Sequence, residues 1–272
     1  MIGHGSRLAA GAALLAAAAV LASPLAAEGK KKKKDKEEEP GKVGKPGAPA
    51  CGIAFLPLVE GTTWTYKYFV PENVDSAPAL HVNSPETLTI HVDKVAPGAD
   101  GGSTITVTES YRKVSVTHDL TCTKDNLQVP IDSFFFNGEP GGGVGMKIDK
   151  VDRKGDSFLL KGGLKENTFQ EFKAQVTRTP TEGSGAAIPP ASLEVERKMT
   201  VKGKEPIDSE MGLHKTTIRV DIELTGRAAL DTQKDKPLNM PAMPSTMWFA
   251  PGVGVVRAES RAGWGWKLMK KE

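Results

Sequence analysis

Beyond residue 55, apolar and polar residues alternate with a period of two over much of the chain. That is the period of a half-buried β-strand, whose successive side chains leave opposite faces of the pleat. From Thr62, the aromatics Trp64, Tyr66 and Tyr68 fall on one face and Thr63, Thr65 and Lys67 on the other. Pro57 cannot donate to a ladder, so the chain enters this strand as a lead-in, and Gly61 permits the turn before it. Three aromatics on one face hide roughly 150 to 250 Å² each, enough to start a core or to wall a pocket. Segment 87–95 repeats the pattern with Leu88, Ile90 and Val92 on one side, and 104–111 does so with Ile105, Val107 and Tyr111. In 113–122, Val114, Val116, His118, Leu120 and Cys122 share a face. Three such runs at short intervals predict an antiparallel meander.

The middle of the chain is less regular. An apolar cluster, Phe134-Phe135-Phe136, precedes a run of glycines at 141, 142, 143 and 145. Short strands are predicted over 144–151, 157–161 and 168–177, and a Gly/Ser/Pro loop over 180–190. Alternation returns at 192–201 and is clearest at 216–224, where Ile218, Val220, Ile222 and Leu224 interleave with Arg219, Asp221 and Glu223. Residues 227–245, polar and rich in proline, read as a long excursion from the sheet. Residues 247–249 then lead to a Pro251-Gly252 turn, and 263–268 close the pattern with Trp264, Trp266 and Leu268 on one face. After the leader, apolar residues never recur at helical spacing for eleven residues without an intervening Gly or Pro. The expectation is a mainly β fold: one curved antiparallel sheet, half-barrel or sandwich-like, with little helix.

Composition divides the chain into three parts. Residues 1–27 read as a secretory signal peptide: one early arginine, an Ala/Leu/Gly/Val run over 8–21, then small residues before a charged tract. No cysteine ends the apolar run, so the usual lipid attachment point is missing and no transmembrane segment is expected. The mature protein is then exported, periplasmic or extracellular, and soluble after cleavage. Residues 28–50, with five lysines at 30–34 followed by an acidic stretch and a Gly/Pro/Lys run, cannot offset their ordering entropy and read as a disordered linker. Residues 51–272 make a single antiparallel β domain.

Charge narrows the partners. The whole chain is at +3, but eight lysines against five acids in 28–49, with Arg7 in the leader, account for four charges, leaving residues 50–272 at −1. A body without basic excess has little with which to neutralise phosphates, so no nucleic-acid partner is expected. Cys51 and Cys122, the only cysteines, sit in a chain read as exported, and a disulfide is the natural state there. Closing a loop of that length stabilises by about 4 kcal/mol in the chain-entropy picture.

Three blocks carry a resemblance: Pro57-Leu58-x-x-Gly61-x-x-Trp64-x-Tyr66, the segment from Glu205-Pro206-Ile207 through Gly212 to Val220, and Trp248-Phe249-Ala250-Pro251-Gly252-Val253-Gly254-Val255-Val256. The chain resembles a family of uncharacterised exported bacterial β-domains that open and close on such blocks. In the middle block Ser209-Glu210-Met211 replaces the family's Val-Pro-Ala-like lead-in. The resemblance implies a curved antiparallel sheet related to envelope lipoprotein-carrier folds and no assigned activity.

The search for chemistry yields little. Gly141-Gly142-Gly143-Val144-Gly145 precedes a β-like segment rather than the helix a phosphate cradle needs. No Gly-x-Ser-x-Gly elbow occurs, and His81, His91, His118 and His214 show no metal-ligand spacing. No catalytic residue, metal or cofactor is assigned. Glu109 and Arg197 fall on otherwise apolar faces, which requires a wet cavity or a place near a strand end, because an unpaired buried charge is costly. His118 points inward beside Val116 and Leu120. The candidates to face a ligand are therefore Trp64, Tyr66, Tyr68, Glu109, His118, Arg197, Trp264 and Trp266. The reading is a non-enzymatic exported domain that binds an envelope component or partner on the concave face of its sheet. Its alternative is a periplasmic carrier of a lipid or other apolar ligand, with a hydrolase behind both.

Overall fold

The two ends of the alternating region meet. In the computed structural model β1 (Thr63–Phe69) lies antiparallel to β13 (Trp264–Lys271), with Tyr68 opposite Trp266 and Tyr66 opposite Leu268. Backbone bonds between Thr63 and Glu272 clasp the first strand to the last residue, at 3.0 and 2.9 Å. The structure describes residues 53–72, 87–98, 102–111, 114–123, 126–140, 146–155, 158–160, 169–180, 191–230, 236–261 and 263–272. The expected leader, the 28–50 linker, Cys51, His81, the glycine run at 141–145 and the loop at 181–190 lie outside them.

On one side of β1 the predicted meander is present: β2 (Thr87–Pro97), β3 (Ser103–Tyr111) and β4 (Val114–Cys122), followed by β5 (Asn126–Gln128). Leu88, Ile90, Val92, Ile105, Val107, Leu120 and Cys122 are buried as their parity requires, while Val114 begins β4 in solvent. The remaining strands are β6 (Met146–Gly155), β7 (Phe158–Leu160), β8 (Phe169–Pro180), β9 (Ala191–Ser209), β10 (Gly212–Leu230), β11 (Leu238–Ala250) and β12 (Gly254–Ser260). All thirteen form one antiparallel sheet in the order β6-β8-β9-β10-β11-β12-β13-β1-β2-β3-β4-β5-β7. The edge strands β6 and β7 do not pair with each other, so the sheet is not closed into a barrel.

One expectation fails. Residues 227–230 and 238–245 stay in the sheet: β10 runs to Leu230, and β11 begins at Leu238. Pro244 keeps its register opposite Glu223, and Pro241 is accommodated by an irregularity in the ladder. Leu224 pairs with Met243 but Gly226 with Met240, so Pro241 and Ala242 lie in a bulge where a missing N–H breaks no regular bond.

The helix among the described residues is the single turn α1 (Phe134–Asn137). Ser133 caps it, its Oγ accepting from the Phe135 N–H at 3.3 Å. Gly138 ends it in the left-handed region at φ +83°, donating to the Phe134 carbonyl at 2.7 Å. All three phenylalanines are buried. This turn is held by Arg197 of β9 at one end and by Glu109 of β3 at the other, strands that bound a run of eight neighbours in the sheet. Laid flat at ~4.8 Å per strand, those eight would spread over roughly 34 Å. One helical turn can be bonded to both outer strands of that run only if the sheet bends around it.

Candidate functional site

The inner face of the bend is built from the residues that parity placed inward. Trp64, Tyr66, Trp266 and Leu268 are fully buried or nearly so, Trp264 is buried, and Tyr68 is half-buried. Tyr66 packs on Phe134 with ring centroids 5.0 Å apart, and Trp64 meets Phe135 edge-on at 6.1 Å. The polar ends of the β1 aromatics donate to backbone carbonyls on the far side of β13: Trp64 Nε1 to Val253 (2.6 Å), Tyr66 Oη to Val255 (3.0 Å) and Tyr68 Oη to Gly263 (3.1 Å). The strand is thereby tied over its neighbour at three points.

Glu109 and Arg197 are each only 2 % exposed; Glu109 lies two residues from the end of β3, as one alternative required, whereas Arg197 lies within β9. Both hold α1. Glu109 Oε1 accepts from the Ser133 hydroxyl and from the Phe134 N–H, each at 2.7 Å, so a carboxylate sits on the donors that the helix start leaves open. Arg197 Nη1 donates to the Phe136 carbonyl at 2.9 Å, and its guanidinium lies 4.3 Å from the centre of the Phe136 ring. Burial draws the Arg197 pKa down to about 9, which leaves the side chain charged at neutral pH. Ser245 on β11 adds a third latch, donating to the Asn137 carbonyl at 2.8 Å. A methyl group at Gly138 would come within 2.9 Å of Ala258 Cβ, so the turn rests directly on β12.

His118 lies beside this network, with Nε2 3.8 Å from Glu109 and Nδ1 3.6 Å from Asp132. Its Nε2 has no hydrogen-bond partner. Burial lowers its pKa below the ordinary value; Asp132 and Asp119 oppose that shift without cancelling it. Tyr66 is held well above its ordinary pKa, mainly by burial and secondarily by the Glu109 charge. The arrangement is unsuited to nucleophilic attack, because the Ser133 hydroxyl donates to a carboxylate that also caps a helix, not to the imidazole. A second serine, Ser209, lies 2.7 Å from His214 Nε2 at the β9–β10 turn, but its Oγ accepts from the Met211 N–H and so shapes the turn.

Seven of the eight residues expected to face a ligand are thus buried on one face, most of them around α1. The eighth, Tyr68, marks the end where that face comes nearer to solvent. There Trp266 stands edge-on between Tyr68 at 5.6 Å and Tyr111 at 5.5 Å, both half-buried. The Trp266 indole N–H is buried and finds no acceptor. Sequence reasoning passed over Ser133, Asp132 and the role of the phenylalanine run. The signal was a serine directly before that run and a glycine directly after it, a helix start and stop one turn apart. Cys122 is buried at the end of β4; the pairing expected for it involves Cys51, outside the described residues.

No family model matches the chain, and no curated protein matches it. Two solved structures are similar. One is a Bacteroides fragilis protein named as exported and as having a YmcC-like fold, with 13% identity and a TM-score of 0.47, covering 81% of this chain and 99% of its own. The other is a Parabacteroides distasonis protein named as a lipoprotein, with 14% identity and a TM-score of 0.48 over the same shares. Likenesses this distant assign no activity or partner to this chain. No helix among the described residues is long and apolar enough to cross a membrane.

Proposed function

We propose that this is an exported, non-enzymatic β protein that binds an envelope component or a partner protein on its concave face, at the end formed by Tyr68, Trp266 and Tyr111. The observation that carries the reading is the buried Trp266 N–H. A donor without an acceptor costs about 1 to 3 kcal/mol, a cost that a bound carbonyl or hydroxyl would remove. Export is supported by the leader pattern of residues 1–27. The polar groups deeper in the face are committed to holding α1, which favours binding over chemistry.

The carrier reading stands second, because the occupant of the concave face is already apolar: Phe134, Phe135 and Phe136 take the place an acyl chain would need. Native mass spectrometry of protein purified from its own envelope separates the readings. Under the first, a non-lipid component co-purifies with wild type and is lost from Trp266→Phe, which keeps an aromatic ring of smaller volume and removes the donor, compared at a temperature where both proteins are folded. Equal retention by both proteins refutes the Trp266 assignment, and a lipid mass favours the carrier.

The Cys51–Cys122 disulfide belongs to the same proposal, since it would tie the lead-in to β4. Alkylation with and without reductant tests it: unreduced protein is expected to take up no label, and two labelled thiols would refute the bridge.

A further inference from the structure

The outer face of the same strands presents a different charge pattern. Lys67 on β1 stands opposite Lys267 on β13, and Lys267 stands opposite Arg257 on β12, so three cations form a row across three adjacent strands. Like charges placed directly opposite destabilise a sheet. Lys67 is exposed and makes no ion pair with any described residue. Among the described residues Lys267 has only Glu210, at 3.9 Å. Arg257 reaches Glu259 at 3.1 Å while its guanidinium lies 4.8 Å from the Phe69 ring and 5.6 Å from Trp248, which fixes its plane.

These side chains surround a cleft of about 230 Å³ lined by Lys67, Tyr68, Phe69, Glu210, Arg257 and Lys267. Its far wall is the β9–β10 turn, which folds back until the Glu210 N–H donates to the Leu268 carbonyl at 3.0 Å. The Phe69 ring covers Gly265 so closely that a Cβ there would lie 2.6 Å from it. Three cations against Glu210 and Glu259 leave one positive charge, the complement of a singly charged oxyanion.

A second observation says where that oxyanion comes from. Among the described residues, large apolar side chains are exposed at Val70 (48%), Val114 (45%), Met211 (48%), Leu213 (57%), Leu238 (51%) and Met269 (40%). Four of the six neighbour the cleft in sequence: Val70 follows Phe69, Met211 follows Glu210 with Leu213 two further on, and Met269 is two beyond Lys267. Exposed apolar side chains that neighbour a cationic pocket along the chain suit a lipid–water interface, where the chains enter the acyl boundary and the cations meet headgroup phosphates.

We propose that the outer cleft binds the phosphodiester of a lipid headgroup, with Met211 and Leu213 at the β9–β10 turn entering the lipid surface. Tyr68 borders both sites, but the cations lie on the opposite face from Trp266, so this proposal is tested independently of the binding proposed for Trp266.

Co-sedimentation of the mature full chain with vesicles of equal parts phosphatidylglycerol and phosphatidylcholine, at about 0.15 M salt, tests it. The lysine tract of residues 30–34 is common to every variant, so the comparison reads the cleft. Lys67→Gln with Lys267→Gln is expected to weaken binding about tenfold. The corresponding arginine pair should retain it, Met211→Ser with Leu213→Ser should weaken it about fivefold, and Lys94→Gln on β2 should leave it within about twofold. All are surface changes, and an unchanged unfolding midpoint for each keeps the comparison valid. Equal affinity of wild type and the glutamine pair overturns the proposal. So does a result in which dimethyl phosphate shifts the NMR signals of Lys67 and Lys267 while vesicle binding is the same in every variant, since the ligand is then a soluble phosphodiester.

Discussion

Glu109 and Lys67 occupy opposite faces of one sheet and show two ways of placing a charge in it. Glu109 is buried, yet its Oε1 accepts two hydrogen bonds from the Ser133–Phe134 turn, and Arg197 grips the other end of that turn through the Phe136 carbonyl. Lys67 is exposed, beside another lysine and without a carboxylate of its own. On the inside, charge is answered by the chain and fixes the fold. On the outside it is left over, and a surplus cation in a cleft is available to something other than the fold. Burial alone would rank these residues in the wrong order as binding candidates; the partners each charge already has are the better guide.

The contrast predicts unequal costs on substitution. Glu109→Ala leaves the buried Ser133 hydroxyl and Phe134 N–H without their acceptor, so a loss of about 3 kcal/mol is expected in urea unfolding. Glu109→Gln, which keeps an acceptor oxygen, should lose only about 1 to 2 kcal/mol. If the alanine variant is as stable as wild type, the carboxylate does not hold the turn.

The next effect in size concerns pH. Burial favours neutral His118 in the folded state, so its folded pKa lies below the unfolded value of 6.5. The unfolded chain then binds the extra proton first. The contribution of His118 is complete above the unfolded value and is lost as pH falls below it toward the folded pKa. Stability should decline with acidification through that window, and His118→Gln should flatten the decline. Part of the slope will persist, because His214 is shifted downward by burial as well. An unaltered slope in the variant would remove His118 from this account.

Smallest is the outer row. Lys67→Gln removes one of two like charges in register and should leave stability within about 0.5 kcal/mol of wild type, with any shift toward greater stability. A large loss would mean that the outer face, too, is answered by the chain.

What the sequence made legible follows from the range of each signal. Parity is local, and it placed Trp64, Tyr66, Leu88, Ile90, Ile105, Val107, Val220 and Trp266 inward correctly. It also brought the two aromatic ends into one layer, where Tyr68 and Trp266 now touch. The stretch 227–245 was misread because proline normally excludes a central strand, and the bulge that admits Pro241 depends on the partner strand's register. Glu109 and Arg197 stood out as charges on apolar faces, but the acceptor and donors they meet come from a turn 24 to 61 residues away. The cleft was invisible for the same reason: Lys67, Arg257 and Lys267 look like ordinary outward residues until β1, β13 and β12 are set side by side.

The central claim is that the sheet bends around α1 and that α1 is part of the core. Native-state hydrogen exchange at the Phe134 N–H, which donates to Glu109, tests it most directly. The account predicts that this amide exchanges only through global opening, as slowly as the amides of Tyr66 and Ile90 in the sheet it plugs. Exchange of Phe134 through a low-energy local opening, while Tyr66 and Ile90 stay protected, would contradict it.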